Sequence, residues 1–427
     1  MNKLEPTQLI NAIELGKEAL RKHDIPAAFD HLFMAAHQDN QAAQLFLRIP
    51  NNEYWLHLIS EEQVEQLKEH TENASWIAQY TLGRYYQIVE AEFDKARDLF
   101  IELSKADMAD ASAALAIMYR RGQLGEGPID KEAYLQSLED ASEKGSKLGN
   151  YQRLKAEIFG LDGLEARPQE IIDGLKNWLG DESEDIEKAD PMYYELIAKS
   201  YQALDVWQKA SEYYRKSICM GRIESYPDYL IMTSFNHEYE LIDEKGYYEG
   251  IEWGCQQGIP YCFVMRATAN KDRYDNTDDE KEKEQLHQLI AEDLNTASLM
   301  GDETATVLLG NHYYYGEYGF EENNDLAWGQ FVLGTGMYSA DAYSMLAQII
   351  IDGNAPVHLS EGFLPHCQLM ALRLGDDNQL IPVVNAYQSG KLASYAQEIE
   401  RYYVPKYNEL PDDDDYPDDD GRFDAYV

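Results

Sequence analysis

Apolar residues recur along this chain at helical spacing and then stop at a glycine. Leu309 and Tyr313, Leu346 and Ile350, and Val383 and Tyr387 are each four residues apart, and Gly316, Gly353 and Gly390 follow three residues later. Residues four apart share one face of an α-helix, so each pair predicts a buried stripe. A glycine takes positive φ at little cost, which predicts where each helix ends. The three sets are 37 residues apart, so a unit of about two helices repeats. A small or polar residue stands eight positions before the Leu or Val, as Gly301 and Gly375 do.

The N-terminal third follows the same grammar with shorter loops. Asp39 precedes Leu47 and Asp107 precedes Leu115 by eight, Leu82 to Leu115 is a step of 33, and Leu115, Tyr119 and Gly122 reproduce Leu309, Tyr313 and Gly316. A second helix shows in the intervals from Ala28 to Asp39, Ala96 to Asp107 and Ala210 to Gly221, each of eleven residues. Such a hairpin has two apolar faces and covers the second only by stacking on its neighbour. Small residues beside the repeated Leu, namely Gly83, Ala116, Gly310 and Ala347, let the helices approach closely.

The run Leu82-Gly83-Arg84-Tyr85-Tyr86 with Asp94-Lys95-Ala96, and Leu309-Gly310-Asn311-His312-Tyr313 with Gly316, Asp325 and Ala327, resemble the signature of Sel1-like repeats. Residues 193–221 resemble an ordinary tetratricopeptide unit. The resemblance covers residues 74–145 and 293–390 best, 10–50 and 190–235 less well. It implies an all-α, right-handed α/α solenoid of helix-turn-helix repeats that acts by binding other proteins.

Four segments are expected: repeats over 1–221, an irregular helical segment over 222–292, Sel1-like repeats over 293–404, and an acidic tail over 405–427. Lys271 to Lys283 is polar and reads as a loop or a partly disordered insertion. Pro405, Pro411, Pro417 and seven Asp between Asp412 and Asp420 predict a disordered tail.

Stacked hairpins curve, and the first helices line the inner surface. One turn off the buried stripe, Arg84, Ile117, Arg120, Asn311, Tyr314, Gln348, Asn385 and Gln388 are expected to face inward and bind the partner. Aromatic side chains often anchor interfaces, which singles out Tyr314.

Charge narrows the partner. Asp and Glu total 78 against 36 Lys and Arg, a formal charge of -42 over 427 residues, and residues from Arg401 onward carry only nine of the acids. That field repels nucleic acid and anionic membranes and draws in a protein with a basic surface. No long apolar segment predicts a signal peptide or membrane helix. Four cysteines without paired spacing fit a reducing cytoplasm.

Candidate chemistry is sparse. His358, His366 and Cys367 match no zinc spacing, and the Asp-rich tail fails the EF-hand pattern, with Tyr416 and Val427 at ligand positions when Gly421 is aligned to the loop glycine. Gly122, Gly125 and Gly127 lack the Lys-Ser or Lys-Thr of a phosphate loop. Cys255 and Cys262 read as small buried side chains. No cofactor, metal or catalytic residue is expected. The expectation is a non-catalytic scaffold or adaptor, with an acidic inhibitor or immunity protein against a basic toxin or enzyme as the alternative.

Overall fold

The computed structural model describes residues 4–121, 123, 131–161, 164–180, 190–236 and 238–410. Its helices are α1 (Pro6–Arg21), α2 (Ile25–Ala36), α3 (Asn40–Phe46), α4 (Arg48–Asn51), α5 (Glu53–Leu56), α6 (Glu61–Glu72), α7 (Trp76–Ile88) and α8 (Phe93–Lys105). They continue as α9 (Ala109–Arg120), α10 (Lys131–Glu143), α11 (Lys147–Phe159), α12 (Pro168–Leu179), α13 (Pro191–Ala203), α14 (Trp207–Cys219), α15 (Tyr226–Ser234) and α16 (Glu244–Gln256). The C-terminal part holds α17 (Pro260–Asn276), α18 (Glu280–Leu299), α19 (Glu303–Tyr315), α20 (Asn324–Gly336), α21 (Ala340–Ile351), α22 (Phe363–Leu374), α23 (Leu380–Gln388), α24 (Ala396–Glu398) and α25 (Val404–Asn408). Among the described residues the only β pairing is an isolated bridge between Phe235 and Leu241.

Each helix packs chiefly on the helices before and after it in the chain, the contact pattern of an α-solenoid. First helices also touch one another in two stretches, α9 on α11 and α11 on α13, and again α17 on α19. The hairpins close where small residues meet large ones. A Cβ on Gly83 would fall 2.7 Å from Cε1 of Phe100, and one on Gly310 would fall 2.5 Å from Cε1 of Phe331. Both rings are fully buried.

The residue eight positions before the repeated Leu has a specific task. Ala74, Asp107, Gly301, Tyr338 and Gly375 all have positive φ, and each turns the chain from the second helix of one unit into the first helix of the next. A capping side chain follows in four of these turns: Ser75, Asp302, Ser339 and Asp376 accept the N–H of Ala78, Ala305, Ala342 and Asn378, satisfying a donor the helix itself leaves open. Asp39 differs from the expected register: its φ is -139° and it is itself the cap of α3.

Three further expectations are corrected. Tyr119 is 63% exposed, because the buried arc of α9 is set by Ala111, Ala113, Ala114, Ala116, Ile117 and Met118 rather than by a Leu–Tyr stripe. Lys271 to Asn276 extends α17 as helix, and a cap at Asp279 opens α18, so only residues 277–279 of this polar stretch are loop. Residues Val404–Asn408 are helical, and Val404 and Tyr407 pack on a core containing Ile399 and Tyr403. Residues 411–427 and the glycines at 122, 125 and 127 lie outside the described residues.

The array coils back on itself. A Cβ on Gly221 would fall 2.2 Å from the carbonyl oxygen of Leu20, and Trp55 Nε1 donates to Glu224. Further along, the Phe93 and Tyr338 rings lie 6.3 Å apart, the Arg121 guanidinium sits 4.9 Å from the Tyr338 ring, and Arg120 Nη1 donates to the Arg373 carbonyl at 3.3 Å. Units far apart in sequence are thus in contact, and the rod expected from stacking alone is a closed coil.

Candidate partner-binding surface

Pro50 shapes the inner layer. It has no N–H to donate, and the first helix of the second unit breaks into α3, α4 and α5 around it. The break brings Arg48, Asn51, Asn52 and Trp55 against Lys147, Tyr151, Asp190 and Arg222 of later units.

Ion pairs run along this layer from unit to unit. Glu53 meets Arg84 at 3.3 Å and Arg121 at 3.0 Å. Burial works to raise the Glu53 carboxyl, but the two guanidinium groups outweigh it and hold its pKa at about 2. Lys147 donates to Asp190 at 3.0 Å. Arg222 bonds Glu195 and stacks 5.3 Å from the Tyr151 ring. Burial opposes ionisation of Glu195 too, yet Arg222 and Lys199 keep its pKa below the usual carboxylate range. Lys199 reaches Asp228 at 3.3 Å. Lys155 has a lowered pKa because of burial, with Lys199 adding repulsion. Asp110 accepts from Asn51 and Ser146.

With Arg48 and Glu224 included, this inner network holds seven cations and six carboxylates, whereas the whole chain has 36 Lys and Arg against 78 Asp and Glu. The ion-paired network itself is therefore nearly balanced, unlike the chain as a whole. An outer groove along α6 is acidic: Asp30, Glu62, Glu65, Glu69 and Glu72 face a single Lys68 in a space of ≈ 850 Å³.

The residues expected to bind a partner fall into three groups. Arg84, Ile117 and Tyr314 are buried and present no surface. Arg84 Nε donates to the Pro50 carbonyl at 3.0 Å, Ile117 packs in the core around Phe100, and the Tyr314 hydroxyl donates to Asp352 of the next unit. Arg120 and Asn311 are half-buried, while Gln348, Asn385 and Gln388 are exposed. Gln348 and Asn385 occupy equivalent positions 37 residues apart. Sequence reasoning missed Arg48, Lys147 and Arg222, whose meeting depends on the Pro50 break and on coiling. The proline was the one visible signal.

Reactive side chains elsewhere have structural partners. His37 Nδ1 donates to the Phe33 carbonyl, and its Nε2 accepts from the Ser75 hydroxyl at 2.6 Å. Ser75 Oγ also caps α7 by accepting from Ala78 at 3.2 Å. Cys255 and Cys262 are buried free thiols, as is Cys367, and Cys219 is exposed. Burial pushes Cys255, Cys262 and Cys367 up to about 12, away from thiolate chemistry. No group of three His, Cys, Asp or Glu suited to a metal occurs among the described residues. No helix there is long and apolar enough to cross a membrane.

No family model and no curated protein matches the chain. Among solved structures it is similar to a protective antigen of uropathogenic Escherichia coli displaying an SLR fold, at 16% identity and TM-score 0.36, over 94% of this chain and 93% of that one. It is also similar to a Sel1 repeat protein from Oxalobacter formigenes, at 15% identity and TM-score 0.36, over 77% of this chain and 92% of that one.

Proposed function

We propose that the chain is a non-catalytic scaffold or adaptor that binds another protein. The observation that supports this reading is a difference in charge between two regions: the ion-paired network is nearly balanced, while the groove along α6 sets five carboxylates against one lysine. Such a surface offers a basic protein a docking face on the outside, and repels nucleic acid and anionic membranes. Gln348, Asn385 and Gln388 are separate exposed polar positions, on successive first helices. An inhibitor of a basic toxin or enzyme was expected to use an acidic concave face. The inner network is not acidic, so that reading has no observation in its favour.

Crosslinking and mass spectrometry on native material test the proposal, followed by partner association with Glu62, Glu65, Glu69 and Glu72 changed to Lys. The expected result is crosslinks on the outer helices, and an association rate that drops about tenfold in the variant and falls with salt. Association that ignores both the substitutions and salt contradicts the acidic docking face.

A further inference from the structure

The break at Pro50 leaves a pocket between the second unit and α11, α13 and the turn before α15. Arg48, Asn51, Trp55, Lys147, Tyr151 and Arg222 line it, with Asp190 as its one carboxylate. The space within it is ≈ 30 Å³, room for about two waters or for the two oxygens of one carboxylate. It is too small for a nucleotide.

Two of the three cations are already paired. Lys147 serves Asp190, whose carboxylate also accepts the Met192 N–H at 3.1 Å, and Arg222 serves Glu195. Arg48 is different. Its guanidinium rests 5.8 Å from the Trp55 ring, and its buried Nη2 has no acceptor among the described residues. Glu224, behind Trp55, is engaged through one oxygen by the indole N–H. A buried guanidinium N–H without an acceptor is costly, and a planar oxyanion is the partner that its fork geometry fits. The charge of -42 does not forbid this, because at physiological salt charges beyond about 8 Å are largely screened.

We infer that this pocket binds a single carboxylate group, held by Arg48 with Lys147 and Arg222 beside it. The source is either a free small carboxylate or an acidic side chain of a bound protein. The second source rests on the scaffold reading, and the first does not.

The test uses the full chain at constant ionic strength. Saturation-transfer NMR is recorded with sodium acetate, then with a blocked tripeptide amide carrying one Asp and its Asn counterpart. Acetate transfer is expected in the wild type, with at least a tenfold loss of affinity in Arg48→Met and a smaller loss in Lys147→Met. The thermal midpoint of Arg48→Met is expected to hold or rise, since the cost of burying this guanidinium outweighs the attraction of Asp190 and Glu224; a fall marks Arg48 as a structural cation and overturns the assignment. Tighter binding of the Asp peptide than of acetate assigns the site to a protein side chain, and acetate binding alone assigns it to a free carboxylate. Absent transfer from both probes, or equal acetate transfer in wild type and both variants, also overturns the inference.

Discussion

Gly83 and Gly310 set how closely their hairpins close, because a buried phenylalanine ring occupies the space where each side chain would begin. Gly83→Ala and Gly310→Ala should each destabilise the protein by about 1–3 kcal/mol through overpacking, measured as a lower urea midpoint. Unchanged midpoints in both would mean the hairpins are not closely packed there. His312 gives a second residue-level expectation. It is buried among Tyr318 and Phe320 with both ring nitrogens unpartnered, and burial, with Lys271 adding to it, lowers its pKa to about 3. Glu317 lies 3.5 Å from Nδ1 with half its side chain in solvent. The unfolded chain, with an ordinary histidine near 6.5, binds the proton first. Stability is therefore lost as pH falls below about 6.5, by roughly 2 kcal/mol at pH 5 relative to pH 7. His312→Phe should flatten that part of the profile in denaturant titrations at each pH.

At the scale of the element, most of the fold was legible in the sequence, since stripes at spacing four and intervals of 37 residues reflect packing that each unit repeats. What stayed hidden was the role of the position eight residues before the Leu. Ala74, Asp107 and Tyr338 sit there with positive φ, and only the glycines at equivalent places announced the turn. A left-handed residue other than glycine is strained by about 1–2 kcal/mol, partly offset by the greater entropy glycine loses on folding. Ala74 is exposed, so Ala74→Gly should raise the urea midpoint by an equivalent of about 0.5–1 kcal/mol. A lower midpoint would show that the turn is not strained. The α17–α18 region misled for the opposite reason. Its helices are long and partly solvated, so Lys271 to Lys283 shows polarity without the apolar period that marks a buried helix.

For the molecule as a whole, the sequence reveals that units stack but not how tightly the stack winds. Small rotations at each interface accumulate, and no single residue encodes their sum. That is why the expected inward-facing residues fared unevenly: Arg84 and Tyr314 became fastenings between units, while Arg48 and Arg222, far apart in sequence, came together. Gly221 marks one contact between distant units, with φ +96° and the Leu20 carbonyl beside it. Gly221→Ala should destabilise by about 1–3 kcal/mol and should also enlarge the radius of gyration in X-ray scattering, because it pushes the first hairpin away from α14. A stability loss without any expansion would place the strain in the local turn alone.

The central claim is that the solenoid closes into a coil, and an intramolecular crosslink tests it most directly. With Cys219 changed to Ser, Phe93→Cys and Tyr338→Cys are introduced together and treated with a short bismaleimide at low protein concentration. The closed coil predicts a single crosslinked peptide joining the two sites in monomeric protein under native conditions, lost in urea. Native monomer that is fully labelled at both cysteines yet never bridged would contradict it, and would describe an open rod instead.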